Sequence, residues 1–204
     1  MKTKLILTAI GAVIAGTIYA SDVPPVGTAA PEFSLPDSNG KTHSLAEYKG
    51  KYVVLEWFNP ECPFVKKHYG SDNMQKLQAE YTAKGVVWLT IDSNAAGKEG
   101  NINGDQANKI MTSWKTHQTA LLLDPDSNVA KLYGAKNTPD MIVINPEGKI
   151  VYEGAIDSKA SPNPSDIPDS TNYVKAALDE SLAGKPVSTP TTKPYGCSVK
   201  YKSS

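Results

Sequence analysis

"YVVLEWFNPECPFVKKHYG", residues 52–70, leads from an apolar run into a helical pattern and sets a cysteine at the junction. "YVVLEWF" (52–58) is β-branched, aliphatic and aromatic apart from Glu56, the composition of a central strand buried on both faces. From Pro63 to about Lys84 the apolar positions, Val65, Tyr69, Leu77 and Tyr81 among them, fit a helix interrupted near Gly70 and "SDN" (71–73). Cys62 therefore falls at a helix N-terminus. There, outward-facing amides and the helix dipole favour the thiolate, which is the nucleophilic form. Pro63 suits the first helical position, where a missing N–H costs nothing. Lys66 lies on nearly the same helical face and adds positive potential, while Glu61 opposes it. His68 sits about 240° around the helix from Cys62, a poor place for a base, and reads as an ordinary surface or partly buried histidine. His43 and His117 have no local partners. A free cysteine also fits as a small buried hydrophobe, but this position and its flanks favour a reactive one.

Outward from this stretch, "PEFSLPDSNGKTHSLAEYKGK" reads as a short hairpin turned at Asp37–Gly40, with a helical turn from Ser44. "GVVWLTID" (85–92) and "ALLLD" (120–124) are further strands, separated by a Gly/Asn-rich loop (93–104) and a helix over Asp105–Trp114. "PDSNVAKLYG" is a short helix ended by Gly134, and 140–157 gives two strands joined by a turn at Asn145–Gly148. "SKASPNPSDIPDS" reads as a surface loop before a helix over about Thr171–Ala183. Strands alternating with helices, then a hairpin, define an α/β sandwich: a central mixed sheet flanked by helices, with an N-terminal hairpin extension. Pro139 precedes a central strand, where it cannot donate to a ladder. A cis Thr138–Pro139 peptide accommodates it, and an ordinary trans turn is the alternative.

All 21 basic residues are lysine and balance 21 acidic ones, which leaves no electrostatic footprint for nucleic acid. Residues 1–20 carry two lysines, an apolar run and Ile18–Tyr19–Ala20, the pattern of an export signal. Leu5–Ala20 falls short of the roughly 20 apolar residues of a bilayer span, although the bulky Ile18 keeps a retained anchor open. The expectation is a signal (1–20), one domain (21–183) and a Pro-rich tail (184–204) carrying Cys197. The protein would then be periplasmic or secreted, without stable membrane insertion, in a compartment where disulfide chemistry operates. No cofactor or metal motif is present.

"APEFSLPDSNGKTHSLAEYKGKYVVLEWFNPEC" and "TPDMIVINPEGKIVYEG", at their spacing, resemble the redoxin group of the thioredoxin fold, the alkyl hydroperoxide reductase/thiol-specific antioxidant type. "NPECPFVKKHY" and the closing "TKPYGCSVKY" are similar to a peroxiredoxin-like subgroup with a single active-site cysteine. The resemblance implies that Cys62 matches the attacking cysteine of Cys-x-x-Cys and that Val65 replaces the resolving one. It implies that Pro139 is the cis-proline beside the thiol, and that Trp57 lies in the aromatic stretch before the motif. Leu55 and Asn59 stand where peroxiredoxins carry Pro and Thr/Ser, and the chain has no arginine. Two usual stabilisers of a breaking O–O bond are thus absent.

A mixed disulfide at Cys62 needs a resolving thiol. The tail from Gly184 to Cys197 spans up to about 43 Å, enough to cross a domain face. A Cys62–Cys197 bond would close a loop of about 136 residues, worth ~5 kcal/mol in the chain-entropy model; a purely structural staple and a free tail thiol remain alternatives. The leading expectation is an exported thiol-disulfide oxidoreductase acting on protein or small-molecule thiols and disulfides. Cys62 attacks and Cys197 or an external thiol resolves; Thr138, Pro139 and Trp57 shape the substrate groove, and Pro63 and Lys66 support the thiolate. The alternatives are a weak thiol peroxidase and a non-enzymatic redox or Cu(I)-binding module. The leading reading requires a Cys62 sulfur that is both electrostatically primed and reachable from solvent.

Overall fold

The computed structural model describes residues 24–202; the segment read as an export signal lies outside the described residues. The chain forms β1 (Ser34–Pro36), β2 (Thr42–Ser44), a 3-10 turn (Leu45–Tyr48), β3 (Val53–Trp57), α1 (Pro63–Gly70), α2 (Asn73–Ala83) and β4 (Val87–Asp92). It continues with α3 (Gly104–Ser113), β5 (Ala120–Leu123), α4 (Asn128–Tyr133), β6 (Asn137–Thr138) and β7 (Asp140–Ile144). Then come β8 (Ile150–Gly154), α5 (Tyr173–Leu182) and β9 (Cys197–Ser198).

The central sheet has the order β5-β4-β3-β7-β8. β3, β4 and β5 are parallel, while β7 and β8 run antiparallel to their neighbours. This is the mixed sheet that the alternating pattern predicts. Every residue of β3 and β4 is buried, so both sheet faces are covered. With a side-chain period of two, Val53, Leu55 and Trp57 meet Leu89, Ile91 and Ile142 under α4 and the N-terminal hairpin. Val54 and Phe58 meet Trp88, Met141 and Val143 on the other face, under α1, α2 and α5. The interruption expected near Gly70 and 71–73 falls at Asp72, whose left-handed conformation (φ 59) separates α1 from α2.

Glu56 points into the second, apolar face and is completely buried. Its carboxylate accepts from Tyr69 Oη (2.7 Å), Trp88 Nε1 (2.8 Å), Thr90 Oγ1 (3.0 Å) and Gln78 Nε2 (3.3 Å). One carboxylate thus ties β3 to β4, α1 and α2.

Both sheet borders carry further chain. Beside β5, Asp37 bridges Leu122, and Ser38 N–H donates to Leu121 O (3.0 Å). Beside β8, Glu153 N–H donates to Pro190 O and Thr192 N–H to Glu153 O, both at 3.0 Å. The tail at Pro190–Thr192 is therefore seated on the border of the sheet. Among the described residues, no helix is long and apolar enough to cross a membrane.

Candidate active site

The loop after β3 presents Cys62. Asn59 Oδ1 accepts from Glu61 N–H (2.8 Å) and Asn59 O from Cys62 N–H (3.1 Å), turning the chain into α1. Cys62 is the N-cap, Pro63 follows at the first helical position, and Lys66 N–H donates to Cys62 O (2.9 Å). The Cys62 thiol donates to Thr138 O at 3.1 Å. Thr138–Pro139 is a cis peptide, with both residues buried at the β6–β7 junction. The end of β3, the start of α1 and this junction therefore meet at one sulfur.

Cys197 comes to the same place. β9 pairs antiparallel with β6, with Cys197 opposite Thr138 and Ser198 opposite Asn137. Val199 N–H then donates to Lys136 O (3.0 Å), and its side chain enters the first core, 6% exposed. The approach at Gly196 is close enough to exclude any side chain: φ is 134°, and a Cβ there would lie 2.0 Å from Thr138 O. Gly196→Ala is therefore expected to unseat Cys197, since backbone on both sides leaves no room to yield. The reaction of Cys62 with iodoacetamide should quicken at least about tenfold, and an unchanged rate would contradict this account.

The two thiols titrate in opposite directions. Burial raises the Cys62 pKa, but hydrogen bonding from the Cys197 thiol, the Val65 amide, Thr138 and the Cys197 backbone outweighs it, and the net shift is downward. No capping hydrogen bond to the Cys62 side chain is closed in the thiol form. The Cys197 thiol is pushed up to about 12, first by burial, then by its hydrogen bond to Cys62 and the charge there. The downward shift at Cys62 arises from hydrogen bonds of Cys197, Val65 and Thr138, and Lys66 is not among its causes. Cys62 is also fully covered, with 0% exposure, where the sequence reading required it to be open. Thr138 and the tail that brings Cys197 form part of the cover.

Of the other candidates, Pro63 and Lys66 lie exposed on α1. Trp57 is elsewhere. It faces the opposite side of the sheet, fully buried beside Tyr133 with ring centroids 5.6 Å apart, and donates from Nε1 to Ser93 Oγ (3.2 Å). It braces the core under the site and reaches no groove.

The sequence reading missed the neighbours of Lys66. Lys67 and His68 are buried, 1% and 0% exposed. Lys67 Nζ lies 3.1 Å from Asp157 Oδ2, 2.8 Å from Lys159 O and 3.5 Å from Tyr195 Oη. His68 Nε2 lies 3.4 Å from Tyr195 Oη, and burial above all holds its imidazole neutral, with the pKa lowered to about 4. A signal was available: Val65, His68 and Tyr69 stand at i, i+3 and i+4, on one helical stripe. Measured from Val65 rather than from Cys62, His68 belongs to the buried face.

Among the described residues, no group of three or more His, Cys, Asp or Glu side chains is arranged to hold a metal ion. Asp140, directly after Pro139, is pushed up to about 7 by burial, against the amides of Lys136 and Met141. Burial likewise lifts Asp92 to about 6. Both carboxyls ionise near pH ~4 once the chain unfolds. As pH rises from about 4 to about 7, the unfolded chain releases these protons first, so stability falls. Urea titrations of Asp140→Asn should show the variant gaining on the native protein over that window by a few kcal/mol. A pH-independent difference would rule this out.

A central mixed sheet flanked by helices, with a helix-capping cysteine beside a cis X–Pro junction, defines a thioredoxin-like protein. The chain belongs to the AhpC/TSA family, whose model matches residues 26–153. It is 28% identical over 148 residues to the thiol-disulfide oxidoreductase ResA of Bacillus subtilis (strain 168), covering 72% of this chain and 77% of that protein. The crystal structure of an uncharacterized conserved protein from Geobacillus kaustophilus superimposes with TM-score 0.75 at 30% identity, over 88% of this chain and 94% of that one. That of a putative thiol:disulfide interchange protein DsbE from Chlorobium tepidum gives TM-score 0.52 at 26% identity, over 63% and 84%.

Proposed function

We propose that the protein is a thiol-disulfide oxidoreductase in which Cys62 attacks and Cys197, delivered by the tail, resolves. The observation that carries this reading is the pairing of Cys197 with Thr138, the residue whose carbonyl accepts from the Cys62 thiol. The names of the ResA and DsbE relatives favour the same chemistry, and an exported setting, read from residues 1–20, suits it. Protein or small-molecule disulfides are the substrates.

The order of events follows from the two pKa shifts. Once the tail that helps cover it moves aside, the Cys62 thiolate attacks one sulfur of a substrate disulfide; a Cys62–substrate bond forms, and the other substrate sulfur leaves as a thiolate and takes up a proton. Cys62 is then neutral and no longer accepts a hydrogen bond, so two causes that hold the Cys197 proton disappear. Cys197 loses its proton and attacks the Cys62 sulfur, and the second substrate thiolate departs. The protein ends with a Cys62–Cys197 disulfide and the substrate has gained two electrons. An external dithiol restores the reduced pair.

Cys197→Ser tests the sequence directly. Incubated with a disulfide substrate such as oxidised glutathione, the variant should accumulate one adduct per chain at Cys62, visible by intact mass, whereas the native protein releases it. Absence of any Cys62 adduct in the variant would refute the reading.

A further inference from the structure

We infer that Tyr195 is a positioning residue: the buried Lys67–Asp157 pair clamps its hydroxyl and so holds Cys197 against Cys62. This rests on the reading of the two cysteines as an exchanging pair. The clamp lies outside the sulfur site and is assembled from three separate parts of the chain, namely α1, the loop after β8 and the tail.

Lys67 and Asp157 have side chains 0% and 1% exposed. Such a pair is worth burying only when its geometry is good and its remaining hydrogen-bonding capacity is used. Here the capacity is used on the tail. Asp157 Oδ1 accepts from Tyr195 Oη and from Lys159 N–H, and Asp157 Oδ2 takes Lys67. His68 Nδ1 faces Asn73 Nδ2 at 2.9 Å. In the neutral imidazole this leaves the Nε2 proton directed at Tyr195 Oη. The Tyr195 hydroxyl thus donates to Asp157 and lies within reach of Lys67 and His68, and its ring stands edge-on to Phe64 at 5.7 Å.

Gly196 alone separates Tyr195 from Cys197. Two residues span at most about 7 Å, so a fixed Tyr195 confines Cys197 to the mouth of Cys62. Val199, buried in the first core, holds the chain from the other side. Other seats of the tail are independent of the clamp: β9 pairs Cys197 with Thr138, Thr192 Oγ1 accepts from Ala155 N–H (2.9 Å) and Tyr201 Oη donates to Ala135 O. Removing the Tyr195 hydroxyl therefore leaves the domain folded and loosens one short stretch.

Tyr195→Phe keeps the ring and its contact with Phe64. Two readouts on the full chain separate positioning from mere support. The first is the equilibrium in which the protein dithiol and oxidised glutathione give the Cys62–Cys197 disulfide and two reduced glutathiones. The second is the iodoacetamide rate at Cys62 in a Cys197→Ser background. Tyr195→Phe is expected to lower the equilibrium constant at least about tenfold, or ~30 mV, and to speed alkylation by a similar factor. A melting-temperature change with both readouts unmoved would overturn the clamp. If the native protein forms no Cys62–Cys197 disulfide, the exchanging-pair reading fails; the alkylation rate then decides the clamp alone, faster supporting it and unchanged refuting it.

Discussion

Cys62→Ser is expected to remove disulfide exchange, lowering the rate at least about a thousandfold, as loss of an essential nucleophile does. A serine hydroxyl is a favourable N-cap and the Cys62 side chain makes no capping hydrogen bond that would be lost, so the fold should survive and the loss can be read as chemical. The second thiol cannot take over. Burial, the foremost cause of the high Cys197 pKa, persists when the Cys62 sulfur is gone. Cys197 also remains tied through β9 to β6. The two single variants should therefore differ in kind, Cys62→Ser giving no adduct and Cys197→Ser giving a trapped one. Insulin reduction by dithiothreitol provides the rate. Retention of more than about a tenth of the native rate by Cys62→Ser would end the assignment.

The second large effect is on stability. Glu56→Ala should cost at least about 4 kcal/mol, because four donors around a fully buried carboxylate lose their acceptor together, each at ~1–3 kcal/mol. Tyr69 Oη, Trp88 Nε1, Thr90 Oγ1 and Gln78 Nε2 all converge on it, and only Gln78 and Tyr69 also bond to each other (3.0 Å). Against a total of roughly 5–15 kcal/mol, such a loss leaves the variant marginal. Urea denaturation followed by tryptophan fluorescence, to which Trp57, Trp88 and Trp114 all contribute, reads the effect. A shift below about 1 kcal/mol would mean that water or neighbouring groups replace the carboxylate.

The sheet was legible because its strands are dense in β-branched and aromatic residues: 53–57, 87–92 and the 140–154 hairpin all lie where their composition puts them. At Thr138–Pro139 the local conflict between proline and a ladder left cis and trans both open, the resemblance implied the cis form, and the bond is cis. What escaped was non-local. The β6–β9 pair joins residues 137–138 to 197–198 through too few side chains to print a period. Lys67 reads as a solvated charge until Asp157 and Tyr195 are brought to it from distant sequence. Trp57 shows the opposite failure. Sequence proximity to Cys62 suggested a shared site, but alternation along β3 sends its side chain to the other face of the sheet.

Pro190–Thr192 also hems the outer border of β8, satisfying the Glu153 amide and carbonyl. Were this stretch to peel away with the cysteine beyond it, those groups would face solvent as a ready template for a strand from a second molecule. An opening that ran back as far as Pro190 would thus bare a margin that invites self-association, whereas one confined to the stretch around Tyr195 leaves that margin covered.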